Sequence, residues 1–126
     1  MKEFNKLPTR KKDKVLLDLW TKLVKIRANN QCERCGSTRF LNSHHVYDRT
    51  NYNVRYSLEN GCCLCVSCHR FDRKSAHNAP LEFSEWIIGK RGLEWFEKLR
   101  TRAFSEVYKA DKEAIYKELK EKVSEL

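Results

Sequence analysis

No stretch of this 126-residue chain approaches the roughly 18 consecutive apolar residues that a membrane-spanning helix needs. No apolar core of an export signal follows its start either, because MKEFNKLPTRKKDK is charged throughout. These two absences predict a chain that stays in a reducing cytoplasm, where cysteines do not persist as disulfides. There is no internal repeat and no low-complexity segment, and the length suits one domain, 1–126, with at most an appended arm. No helix-turn-helix or repeated base-reading module is visible, which excludes recognition of bases through such a module. No apolar pocket-forming segment or second acid/base pair stands out, which counts against a hydrolase of small molecules.

What is present is positive charge: 26 Lys+Arg against 17 Asp+Glu give +9 and a pI near 9.4. That balance suits a polyanionic partner, although a merely soluble basic protein shares it. Six cysteines are also present, four of them in CERC (Cys32, Cys35) and CVSC (Cys65, Cys68). In a reducing compartment paired CxxC motifs read as metal sites, and two such knuckles can close an all-sulfur tetrahedral zinc site. With no open position the site is structural, clamping the chain on both sides of the intervening segment. One Zn2+ on four thiolates carries −2, which takes the chain from +9 to +7, still basic. Cys62 and Cys63 are surplus: small strand residues, or one of them an alternate ligand.

Along the chain, residues 1–9 are polar and expected to be loose until Thr9. From about Arg10 to Ala28, Leu16, Leu19, Trp20, Leu23, Val24 and Ile26 recur at helical spacing, and Asn29-Asn30 can end that helix in the left-handed conformation. Its polar face, with Lys11, Lys12, Lys14, Lys22 and Lys25, reads as a solvated one. Phe40 to Val46 and Cys62 to Val66 read as strands around a polar loop, with Asn60-Gly61 a dipeptide that favours a tight hairpin turn. A helix is predicted from near Ser67. Pro80 opens another over Leu81–Ile88, stopped by Gly89. Gly92–Phe104 has one apolar face. Asp111–Leu126 is a charged helix with a thin stripe of Ile115, Leu119 and Val123, which can dock on the domain, pair with another chain, or fray. The expected class is α+β, mainly helical: an N-terminal helix (10–28), a zinc-stapled hairpin-helix core (31–79) and C-terminal helices (80–126).

Between and beside the knuckles stand His44-His45, Asn60 and His69, none of them needed for a four-cysteine site. Adjacent residues on a strand point to opposite faces, so His44 and His45 cannot both face one metal. The order C-x2-C, H-H, N, C-x2-C-H resembles the HNH endonuclease family, and the stretch from Cys32 to about Phe83 looks like its small stand-alone phage and prophage members. The resemblance implies a ββα-metal hairpin that hydrolyses nucleic acid with one divalent ion. It implies His44 as a metal ligand, His45 as the general base that activates water, His69 as the second ligand, and Asn60 as the residue that holds the loop and orients His45. Asn before Gly is also what a hairpin turn wants, and the two roles are compatible. His77 lies in SAHNAP, similar to an AH-x-x-P segment of related phage sequences. It is either a third ligand or a helix-end packing residue, within reach of the face of His69 only if the helix from Ser67 continues. Many relatives carry Asp-His where this chain has His-His, a form similar to colicin-type DNases. Two imidazoles shift preference from Mg2+ toward Mn2+, Ni2+, Co2+ or Zn2+.

Arg49, Arg55, Arg70, Arg73 and Lys74 cluster in sequence around these histidines, where they would pair with phosphates. Tyr47, Tyr52 and Tyr56 can stack or hydrogen-bond with sugar and backbone. The expected substrate is DNA, recognised by shape and phosphate with little sequence preference. A monomer with one site would nick; a dimer, for which the 111–126 helix is available, would cut both strands. A phage origin, as the resemblance implies, would put the chain in the host cytoplasm beside a terminase or another DNA-processing protein. The alternative is a non-catalytic zinc ribbon that binds nucleic acid or assists phage packaging or recombination. That alternative leaves His44, His45, Asn60 and His69 at these spacings unexplained.

Overall fold

The computed structural model describes residues 2–106 and 111–126. Its elements run α1 (Lys2–Lys6), α2 (Thr9–Arg27), β1 (Leu41–His45), β2 (Gly61–Cys65), a π-turn (Ser67–Phe71), α3 (Pro80–Arg91), α4 (Leu93–Ala103) and α5 (Lys112–Ser124). The expected class, α+β and mainly helical, is what these elements make. None of the described helices is long and apolar enough to cross a membrane.

The two strands form one antiparallel pair in which His44 faces Cys62 and His45 faces Gly61. Side chains alternate across a strand, so His44, Cys62 and Leu64 share one face while Ser43, His45, Gly61 and Cys63 share the other. α2 covers the second face: Trp20 and Val24 pack on Cys63, and the Ser43 hydroxyl donates to the Thr21 carbonyl at 2.9 Å. α3 covers the first, with Phe83 and Ile87 against Cys62 and Leu64. Every residue of β2 is buried as a result, which explains a strand reading GCCLC with no polar side chain.

Four sequence expectations are corrected. The first residues are not loose: Lys2–Lys6 is helical, and Phe4, 3% exposed, stacks on Tyr116 of α5 at 4.2 Å. That partner exists because α5 docks along α2, burying Leu119 in a cluster with Phe4, Leu16 and Leu23. Gly89 does not stop α3, which runs through it and ends at Gly92, where φ is +96°. Asn60-Gly61 is not a tight turn. The strands are joined by a long loop that closes in a 3-10 turn, Leu58–Asn60, and Gly61 is extended with φ −107°. Glycine is there because a Cβ would collide with Val24 and Trp20 on α2. Finally, the helix expected from Ser67 is a single π-turn: the Asp72 N–H donates to the Ser67 carbonyl at 2.8 Å, and the chain then leaves the helical path. Asn29 and Asn30 do end α2 in the left-handed region, at φ +56° and +54°.

Candidate metal centres and the imidazole cleft

The sulfurs of Cys32, Cys35, Cys65 and Cys68 lie within 4.8 Å of one another. Tetrahedral coordination at a zinc–sulfur bond of about 2.3 Å puts sulfurs about 3.8 Å apart, and Cys35 Sγ is 3.6 Å from Cys65 Sγ. Each knuckle is set by its own backbone: the Cys35 N–H donates to Cys32 Sγ and the Cys68 N–H to Cys65 Sγ, both at 3.5 Å. Burial raises the Cys32 thiol, but backbone N–H groups of Cys65, Cys35 and Arg34 outweigh it and bring the thiol down to about 7. Four converging sulfurs with no other ligand type are arranged to hold a metal ion, in the manner of structural zinc. Cys62 and Cys63 take no part; both are fully buried, on opposite faces of β2. Glu33 ties the first knuckle to the rest: its carboxylate accepts from the Cys63 N–H at 2.7 Å and pairs with Arg91 of α3 at 2.8 Å.

Next to this cluster, ligand nitrogens of His44, His69 and His77 also lie within 4.8 Å of one another. His44 projects from β1 with its ring edge-on to Phe83 at 5.0 Å. His69 sits in the π-turn directly after Cys68. His77 arrives by a route the sequence did not suggest, since no helix connects it to His69. The loop after Phe71 folds back, and the His77 N–H donates to the His69 carbonyl at 3.1 Å. The Asn78 carboxamide pins that loop through the carbonyls of Arg70 and Asp72, at 2.8 and 3.0 Å. His69 Nε2 and His77 Nε2 are 3.1 Å apart, while His69 Nδ1 is buried without a partner. Two imidazole lone pairs at that distance need a proton or a cation between them, so the donor set fits a divalent metal. Burial pushes His44 down to about 3, with His69 and His77 adding to it. Burial likewise takes His69 down to about 4, with His77 and Arg70 adding to it. Both rings are therefore neutral near pH 7, the form in which an imidazole nitrogen is able to take a metal ion.

His45 points the other way, toward α2. Its ring lies parallel to the Trp20 indole, centroids 4.0 Å apart and planes 10° from parallel, and its Nε2 is 3.0 Å from the Arg55 carbonyl. Only an N–H can face a carbonyl, so the proton sits on Nε2 and the lone pair on Nδ1. Burial lowers this histidine too, opposed by the Arg55 carbonyl. Asn60, fully buried, holds the start of the loop: its Oδ1 accepts from the Tyr47 N–H at 2.7 Å and its Nδ2 donates to the Tyr47 carbonyl at 3.0 Å. The far side of the loop is tied to α4, where Asn51 and Asn53 donate to the Ala103 carbonyl at 3.1 and 3.3 Å.

His44, His45, His69 and His77 all line one open cleft of about 410 Å³, with Leu17 and Thr21 of α2 as its wall and Asp48, Arg49 and Arg70 also lining it. Of the five basic residues singled out from the sequence, Arg49 and Arg70 are therefore at the cleft. Arg55 is not: its guanidinium lies over the rings of Tyr52 and Tyr56 at 5.5 and 5.3 Å. Arg73 and Lys74 border a separate depression with Asp72 and Glu82. The residues that sequence reasoning missed are Trp20 and the Arg55 carbonyl. Trp20 was visible only as a core position of a helix, and a backbone carbonyl carries no signature in the sequence. No family model matches the chain, and neither a curated protein nor a solved structure does.

Proposed function

We propose that this chain is a metal-dependent endonuclease of the HNH type that hydrolyses phosphodiester bonds of DNA, nicking with little sequence preference. The observation that carries the reading is the division of labour in one cleft. Three imidazoles converge, and a fourth, adjacent in sequence, turns to the opposite strand face with its proton committed to a carbonyl. A purely structural metal site needs no such fourth ring. His44, His69 and His77 would hold the divalent ion (Mg2+, Mn2+, Ni2+ or Zn2+), which when bound supplies charge neutralisation at the phosphate and the leaving oxygen. His45, with Nε2–H on the Arg55 carbonyl, keeps Nδ1 free to take the proton of the attacking water. Arg49 and Arg70 offer guanidinium groups to phosphates flanking the cut. Asn60 fixes the loop by both backbone groups of Tyr47, and the four-cysteine cluster fixes the π-turn that carries His69.

The test is cleavage of supercoiled plasmid by metal-stripped protein resupplied with each of the four ions, for wild type and His45→Ala. Nicking by wild type that the substitution reduces at least a hundredfold, as loss of a general base does, with fold and thiolate metal retained, is the expected result. No cleavage with any ion, alongside salt-sensitive binding, would replace the enzyme by a zinc-ribbon binder.

A further inference from the structure

We infer that Trp20, on α2 and outside the cysteine- and histidine-rich segment, is the positioning residue for His45, an inference that rests on the reading of His45 as the base. A hydrogen bond from one ring nitrogen leaves an imidazole free to rock about the N···O line, because aryl torsions are broad. Here that bond is the 3.0 Å contact of Nε2 with the Arg55 carbonyl. The freedom it leaves is removed by the indole face, parallel to the ring at a centroid distance of 4.0 Å.

The indole is itself fixed. Trp20 is 0% exposed, and its Nε1–H donates to the Ser57 carbonyl at 2.8 Å, which sets its rotation in the plane. Arg55 and Ser57 belong to the same loop, so one segment supplies the anchor for both rings. Tryptophan, imidazole and loop thus form a closed frame. Space for the stack comes from Gly61, the cross-strand partner of His45, where a Cβ would collide with Trp20 and Val24. A buried indole N–H needs an acceptor whatever its role, so what sets Trp20 apart from a residue that only fills the core is the plane held parallel to the His45 ring.

The experiment compares wild type, Trp20→Phe and Trp20→Leu, each checked for fold and thiolate metal, by NMR of the His45 ring and by plasmid-nicking kinetics. In wild type the His45 ring protons are expected upfield under the indole, as one Nε2–H tautomer. Trp20→Phe keeps an aromatic face and most of that displacement. Trp20→Leu fills volume without a plane, so the displacement is lost and the ring samples more than one orientation. The Leu variant should lose kcat on the order of tenfold with KM unchanged, since small misplacements of a reacting group cost up to about a hundredfold, and the Phe variant should recover most of it. A single His45 orientation and undiminished kcat in Trp20→Leu would overturn the inference. So would wild-type ring protons without upfield displacement, however the variants fold. If wild type does not cleave, the nuclease reading fails by itself, and the ring orientation still decides whether Trp20 holds His45.

Discussion

At the scale of the residue, Asn60 shows how one side chain can set a loop. Its carboxamide accepts from and donates to the backbone of the same residue, Tyr47, and it is fully buried while doing so. Asn60→Asp keeps the shape and the acceptor but turns the donor into a second acceptor facing the Tyr47 carbonyl. The expected cost is about 1–3 kcal/mol, the penalty for a buried polar group left unpaired, read as a lower denaturation midpoint at pH 7 with the thiolate metal in place. An unchanged midpoint would show that the loop is held by other contacts. The neighbouring position illustrates what letters conceal. Gly61 was read through turn propensity, whereas its role is close approach of α2, and the same residue type serves both. The opposite facing of His44 and His45 was legible, because strand periodicity is a property of the backbone and not of the partners.

At the scale of the element, the helices were legible where an apolar stripe met an opposing surface within the chain, and α2 is the clearest case. The docking of α5 and the folding of Lys2–Lys6 were left open or missed, because each depends on the other: Phe4 is buried only where Tyr116 stacks on it. Spacing brings His77 within reach of His69 only through a continuous helix; a fold-back loop does it instead, held by Asn78, whose two carbonyl partners no spacing rule identifies. The junction of α2, the strand-connecting loop and α5 also makes a pH prediction. Tyr56 donates to the Asp13 carboxylate at 3.1 Å, and Lys112 of α5 pairs with the same carboxylate at 2.9 Å. Burial, then the Asp13 charge and hydrogen bond, raise the Tyr56 phenol above its ordinary 10 despite the opposing Arg55 charge. A raised folded-state value means the native state holds that proton more tightly than the unfolded chain. Its contribution is therefore complete below pH 10 and is lost as pH rises above it. Wild type should lose stability relative to Tyr56→Phe above about pH 10, by up to about 1.4 kcal/mol per pH unit, in parallel denaturation curves. Parallel loss in both proteins would remove Tyr56 from the account.

At the scale of the whole molecule, two ligand clusters of different chemistry meet at Cys68-His69, and their consequences should separate. The sulfur cluster ties the segment before β1 to the end of β2 and the π-turn, so a metal held there is part of the folding free energy, on the order of 10 kcal/mol for structural zinc sites. The imidazole cluster opens onto a cleft, with His77 exposed, so a metal held there would contribute little to folding. The two clusters differ in what they hold together: the second knuckle sets the turn from which His69 projects, whereas the imidazoles meet at an exposed edge of the fold. His44→Ala combined with His77→Ala should therefore lower bound metal from two ions per chain to one and leave the melting transition nearly in place. Cys65→Ser should release both ions and broaden or abolish the transition, though α1, α2 and α5 retain their own buried cluster of Phe4, Leu16, Leu23 and Leu119 and with it some helical signal. Elemental analysis and circular dichroism on the same samples read both quantities. A Cys65→Ser protein that melts like wild type, or that still holds one ion at its histidines, would break the hierarchy and make the two centres independent.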